Sequence, residues 1–177
     1  MHPIRHPMPF GAEVTDDGAV RFRLWAPGAE RVALELDGQP SPERLLDLAA
    51  VADGWFERTT DLAGPGSRYR FRLTASHLEA DQPVPDPAAR FQPEGVHAAS
   101  EVIDPGAYAW GDGELQWPGR AWETAVFYEL HLGTFSPEGT FAGAARRLRH
   151  LAELGVTAVE LMPVAAFPGA RGWGYDG

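Results

Sequence analysis

The chain has 177 residues, with 25 Asp and Glu against 15 basic residues, all of them arginine, for a formal charge of −10. An acidic chain without a local basic run repels nucleic acid and anionic lipid, so neither is expected as a partner. The absence of cysteine excludes a disulfide framework, a thiol nucleophile and a thiolate metal site, and hydrophobic residues at 44% with charged residues at 23% describe an ordinary globular chain with material for a core.

The first ten residues contain no apolar run of the kind that opens a signal peptide, and no later stretch is long enough to span a bilayer, so a cytoplasmic protein is expected. From Gly18 to Ala75 the apolar residues alternate with period two. Val20, Phe22 and Leu24 face one way and Arg21 and Arg23 the other; Val32, Leu34 and Leu36 repeat the pattern; Tyr69, Phe71 and Leu73 alternate with Arg68, Arg70 and Arg72. Such alternation predicts half-buried antiparallel strands. Turn signals at Asp17-Gly18, Pro27-Gly28, Asp37-Gly38, Asp53-Gly54 and Pro65-Gly66 separate the strands, and the spacing predicts an immunoglobulin-like β-sandwich. Trp25 and Trp55 fall in or beside strands. They are read as core or interface residues, with a sugar-stacking surface as the alternative.

Between Leu78 and Trp122 the patterning fades, prolines recur, and eight carboxylates face only Arg90 and Arg120. This stretch is predicted to be an ordered wrap and linker rather than helix, with one short strand at Ser100 to Ile103.

The last third reads as a strand, helix and strand. Ala125 to His131 is an apolar and aromatic run of strand length, as expected where both faces of a parallel strand are covered, and is interrupted only by Glu129 and His131, which project from one face. Thr140 caps a predicted helix to Leu154, with Phe141, Ala144, Leu148, Leu151 and Leu154 on its apolar face. Gly155 occupies the left-handed cap position. Val156 to Met162 is a second buried-strand run, completing a βαβ unit.

Glu129 and Glu160 lie on neighbouring parallel strands. Paired carboxylates are the working groups of glycoside hydrolysis, but a structural partner such as His131 accounts for a strand-end glutamate equally well. His131 alone is read as a satisfied polar group, with no clustered ligands to suggest zinc. The turn after the first strand lacks a phosphate-binding pattern, and no nucleotide cofactor is expected. In Gly172-Trp-Gly-Tyr-Asp-Gly177, glycines flank Trp173 and Tyr175 beyond the second strand, on the side where (β/α) barrels carry their active sites.

These residues carry a family likeness. Trp122 to Phe135, Gly155 to Pro163 and Gly172 to Gly177 resemble the opening of the catalytic barrel of the α-amylase superfamily of glycoside hydrolases. Within it, Phe10 to Glu13, Phe22 to Pro27 and Asp86 to His97 resemble the malto-oligosyltrehalose trehalohydrolase family. The resemblance implies a multidomain protein. Residues 10–104 would form the immunoglobulin-like sandwich, 105–121 a linker, and 122–177 the first strand, helix and second strand of a (β/α)8 (TIM) barrel, left incomplete because such a barrel takes about 250 residues.

The implied activity is hydrolysis, with retention, of the α-1,4 linkage joining trehalose to a maltooligosaccharide, and the implied partner is that α-glucan. No cofactor or metal is implied. Tyr175 matches a family tyrosine that stacks on the sugar beside the cleaved bond, with Trp173 and Asp176 as its neighbours. Glu129 and Glu160 match none of the family's catalytic carboxylates, which would all lie beyond Gly177, so the chain reads as an inactive amino-terminal fragment. A branching or debranching enzyme, or a non-catalytic glycan-binding module, is the alternative.

Overall fold

The computed structural model describes residues 8–40, 44–76, 82–111, 113 and 116–172. The chain divides into two compact units, residues 1–109 and 110–177, and each is described by itself.

The first unit is all β. One sheet runs in the order β1 (Gly11–Val14), β2 (Val20–Trp25), β6 (Trp55–Thr60), β5 (Ala49–Ala50). The other runs β4 (Leu45–Asp47), β3 (Arg31–Leu36), β7 (Arg68–Thr74), β8 (Gln82–Val84), with β9 (Ser100–Glu101) also paired to β7. Every pairing in these two sheets is antiparallel. The two sheets close on one core, to which β2 contributes Val20, Phe22 and Leu24, β3 contributes Val32, Leu34 and Leu36, β6 contributes Phe56, and β7 contributes Tyr69 and Phe71. Full burial of side chains of this size contributes about 1.5–3 kcal/mol each. The rings of Phe22 and Tyr69 meet edge to face at 4.8 Å, and those of Tyr69 and Phe71 at 5.8 Å.

The alternating arginines lie outside this core and are held by carboxylates. Glu35 is the exception, a buried acid on β3 between Arg44 and Arg72, each 2.7 Å away. Burial pushes its carboxyl up, but the hydrogen bonds and charges of Arg72 and Arg44 outweigh this and hold it below the usual range. A paired arginine lets an acid sit at an otherwise apolar depth.

The strand β8 has no counterpart in the sequence reading. Pro83 disguises it, because proline cannot donate to a ladder and is tolerated on edge strands. Here it pairs with Arg72 at the sheet edge.

The wrap that follows is clasped from inside. Asp86, 2% exposed, accepts from the hydroxyl of Tyr69 at 2.7 Å and from the Ala88 amide at 2.8 Å, while its own amide donates to the Ser100 hydroxyl at 3.0 Å. Arg90 reaches back to the carbonyl of Ala12 at 3.2 Å. The Asp86 to His97 stretch singled out in the sequence thus carries a structural clasp. Trp25 is not a core residue, being 58% exposed, and Trp55 is partly exposed. Alternation explains it: the two rings stand opposite each other on the outer face of their sheet.

In the second unit, β10 (Phe127–Leu130) and β11 (Ala158–Leu161) pair in parallel. Between them lie the short α1 (Leu132–Phe135) and α2 (Phe141–Leu154). The Thr140 side chain caps α2 by accepting from the Gly143 amide, and Gly155 ends it in the left-handed region at φ 97°. The expected burial is only partly present. Of the helix face, Ala144 and Leu151 are buried, whereas Phe141, Leu148 and Leu154 are exposed; of β10 only Leu130 is buried. Two strands are too narrow to cover a four-turn helix.

Candidate functional site

The parallel register places Glu129 directly beside Glu160, so both carboxylates project from one face of the sheet. Both are exposed, and neither has an ion pair or hydrogen bond among the described residues. The alternative in which His131 holds Glu129 is therefore not realised. No cluster of three or more potential metal ligands occurs among the described residues.

His131 instead joins the end of β10 to the loop after β11. Its Nε2 lies 2.8 Å from the Gly172 carbonyl. A carbonyl only accepts, so this nitrogen carries a proton and donates; Nδ1, buried, has no hydrogen-bond partner among the described residues. The His131 carbonyl in turn accepts the amides of Thr134 and Phe135, which starts α1 immediately after the strand. Gly172 fits because it has no side chain, since a Cβ there would lie 2.7 Å from the Phe167 ring. The chain is therefore anchored at the C-terminal end of β10 one residue before Trp173. Trp173, Tyr175 and Asp176 themselves lie outside the described residues.

Around this anchor is an open cleft of about 870 Å³, lined among others by His131, Phe141, Phe167 and Arg171. A second cleft of about 630 Å³ is lined by Tyr128, Phe135, Arg146 and His150. The anchor was not legible in the sequence. Its partners are 41 residues apart, and a backbone carbonyl leaves no residue-type signal. Below it, the approach of α2 to the turn depends on Gly143, where an added Cβ would lie 2.3 Å from the Ser136 hydroxyl.

Residues 9–89 match the family of carbohydrate-binding module 48, described as the isoamylase N-terminal domain. The malto-oligosyltrehalose trehalohydrolase of Deinococcus radiodurans is 44% identical over 171 residues, 97% of this chain and 25% of that protein. The trehalohydrolase of Saccharolobus solfataricus is 45% identical over 170 residues, covering 96% of this chain and 28% of its own length. Over nearly its whole length the chain is similar to these two trehalohydrolases. It spans about a quarter of the length of these trehalohydrolases.

A 1,4-alpha-glucan branching enzyme of Streptomyces coelicolor is a weaker match, 36% identical over 185 aligned positions, 94% of this chain and 23% of that enzyme. Among solved structures, a Salmonella typhimurium protein provisionally named an alpha amylase superposes with a TM-score of 0.85 at 46% identity, over 97% of this chain and 27% of that one. The two units thus have relatives among α-amylase-family enzymes. No helix among the described residues is long and apolar enough to cross a membrane.

Proposed function

We propose that this chain is the amino-terminal part of a retaining, cytoplasmic α-glycosidase that hydrolyses the α-1,4 linkage between trehalose and a maltooligosaccharide. In this reading residues 10–104 are an immunoglobulin-like sandwich, 105–121 a linker, and 122–177 the first βαβ unit of a (β/α)8 barrel. The observation that carries it is identity of 44% and 45% to two trehalohydrolases across both units rather than across the β-unit alone. The parallel pairing of β10 with β11 around an intervening helix supports the barrel assignment.

Retaining hydrolysis takes a nucleophile and an acid/base about 5–5.5 Å apart, flanking the scissile bond. Neither Glu129 nor Glu160 is given either role, and the chain by itself is read as inactive. Its contribution is to substrate binding. Tyr175 stacks on the sugar beside the cleaved bond, Trp173 and Asp176 flank it, and the His131–Gly172 hydrogen bond fixes the base of that loop against β10. The substrate is an α-glucan, and nucleic acid, membrane and cofactor have no part in the reading.

The test is to express the coding sequence that contains this chain at its full length and to measure trehalose released from maltooligosyltrehalose, beside the 177-residue chain. Release by the longer protein alone supports the proposal. Transfer to an α-1,6 branch, or debranching without trehalose release, would favour the second reading, a branching or debranching enzyme, which the Streptomyces match motivates.

A further inference from the structure

Arginine is held by a partner almost everywhere in this chain. Among the described residues, nine arginines have a carboxylate within 3.5 Å, and Arg90 and Arg120 donate to backbone carbonyls. Arg171 has neither kind of partner among the described residues. Arg58 and Arg147 share that property, but of the three only Arg171 lines the cleft of about 870 Å³ beyond the ends of β10 and β11.

Within that cleft the Arg171 guanidinium is the uncommitted side-chain donor among the described residues. The other polar side chains of the lining are engaged or covered: His131 Nε2 donates to the Gly172 carbonyl at 2.8 Å, His131 Nδ1 is buried, and the Thr134 hydroxyl donates to the His131 carbonyl at 3.3 Å. The rest of the described lining is apolar or glycine, with Phe141, Pro163, Val164 and Phe167 the largest side chains, and it contains no carboxylate.

The backbone that carries Arg171 is fixed on its C-terminal side. The carbonyl of the next residue, Gly172, is held by His131, and a Cβ on Gly172 would lie 2.7 Å from the Phe167 ring. Another part of the wall is built as closely, since a Cβ on Gly139, whose φ is 60°, would lie 3.1 Å from the Gly133 carbonyl. The root of the arginine is thus placed before any ligand arrives, which lowers the ordering cost of binding.

We propose that Arg171 is a substrate-binding residue that donates paired N–H bonds to adjacent hydroxyls of the α-glucan ring next to the one stacked on Tyr175. The inference rests on the α-glucan reading above and adds a specific contact to it. The guanidinium is a planar fork of donors with no acceptor, which fits two neighbouring equatorial hydroxyls on the edge of a glucopyranose. The apolar walls meet the C–H faces of the ring and keep water from the bond, which strengthens it. A phosphate or carboxylate ligand calls for several converging charged donors, and this cleft offers one side chain. Because the contacted ring is not the one that reacts, the contact acts alike in the ground and transition states, so its removal raises KM and spares kcat.

The experiment is steady-state trehalose release from maltooligosyltrehalose by the full-length protein that contains this chain, comparing wild type with Arg171→Ala and Arg171→Lys. Arg171→Ala is expected to raise KM at least about tenfold, as for loss of hydrogen bonds from a charged group, with kcat within about twofold and the thermal unfolding midpoint unchanged. Arg171→Lys recovers only part of the loss, because an ammonium is a point charge without the fork. A KM within about twofold of wild type, a fall in kcat alone, or a fall in kcat together with the unfolding midpoint overturns the contact. Competitive inhibition by inorganic phosphate that Arg171→Ala abolishes also overturns it, by making the cleft an anion site. Trehalose release with KM unmoved by Arg171→Ala refutes the contact alone. If the wild-type protein releases no trehalose, the hydrolase reading fails. The contact is then decided by calorimetry with maltoheptaose on the same full-length proteins: binding weakened at least about tenfold by Arg171→Ala supports it, and equal binding or none by wild type overturns it.

Discussion

Tyr69→Phe removes one oxygen atom from the clasp that holds the wrap after β8, and its cost depends on pH in a direction the structure dictates. The Tyr69 hydroxyl donates to Asp86 Oδ2 at 2.7 Å, with the two residues only 1% and 2% exposed. Burial above all pushes the Asp86 carboxyl up; the hydrogen bonds from Tyr69 and the Ala88 amide and the charge of Arg90 pull it back without cancelling the effect. A carboxyl whose folded pKa is raised is better tolerated protonated, so the wild-type unit loses stability from this residue as pH rises from about 3.9, its unfolded value, through the folded pKa.

Deleting the Tyr69 donor raises that pKa further and leaves the carboxylate with one fewer bond. The cost near neutral pH is about 1.5–3 kcal/mol, the range for a buried hydrogen bond to a charged group. Below about pH 3 the carboxyl is neutral and the cost falls toward about 1 kcal/mol, that of an ordinary hydrogen bond. The packing of the ring is retained, so no cavity term is added. Urea unfolding of wild type and variant, followed by near-ultraviolet circular dichroism at both pH values, measures the difference. An equal loss at the two pH values, or a loss below about 0.5 kcal/mol near neutrality, would refute the reasoning, because either result means that the Asp86 charge does not depend on Tyr69.

For the buried acid of the opposite sign, Glu35, stability is present above its unfolded pKa and lost as pH falls through the depressed folded value. An NMR titration should show Arg72→Ala moving the Glu35 pKa upward, and no movement would mean that Arg72 does not hold it. Gly143→Ala forces a Cβ to 2.3 Å from the Ser136 hydroxyl and should destabilise the second unit by about 1–3 kcal/mol; unchanged amide exchange across α2 would count against the close approach. Thr140→Ala removes the cap on the Gly143 amide and should cost about 1 kcal/mol, read as faster exchange in the first turn of α2 alone. In the 177-residue chain, amides of β2, β3, β6 and β7 should exchange far more slowly than those of β10 and β11, whose residues are mostly exposed. Strong protection of Val159 to Met162 would contradict this.

Much of the architecture was legible because it is periodic. Val20-Arg-Phe-Arg-Leu24 and Arg68-Tyr-Arg-Phe-Arg-Leu73 announce strands whose alternate residues meet in one core, and Thr140 and Gly155 mark the ends of α2 at the residues where the structure places them. The family likeness was carried by short runs in both units, including Asp86 to His97, whose physical role as a clasp emerged only when Tyr69 and Ser100 were found around Asp86. Pairing across a sheet is the part a sequence does not print. Pro83 concealed β8, because its tolerance depends on lying at an edge.

The same limit separates the composition of the candidate sites from their geometry. The residues at the end of the parallel strands could be named in order along the chain. That Glu129 stands beside Glu160 while His131 turns to the Gly172 carbonyl is set by strand register and loop closure over 41 residues. Large aromatics usually gain from burial, which favours core or interface positions for Trp25 and Trp55 when only the sequence is considered. Sequence determined that they lie on strands; only the tertiary structure decided which face of the sheet they occupy, because a strand offers two faces and the choice between core and solvent is made by the partner that packs against one of them.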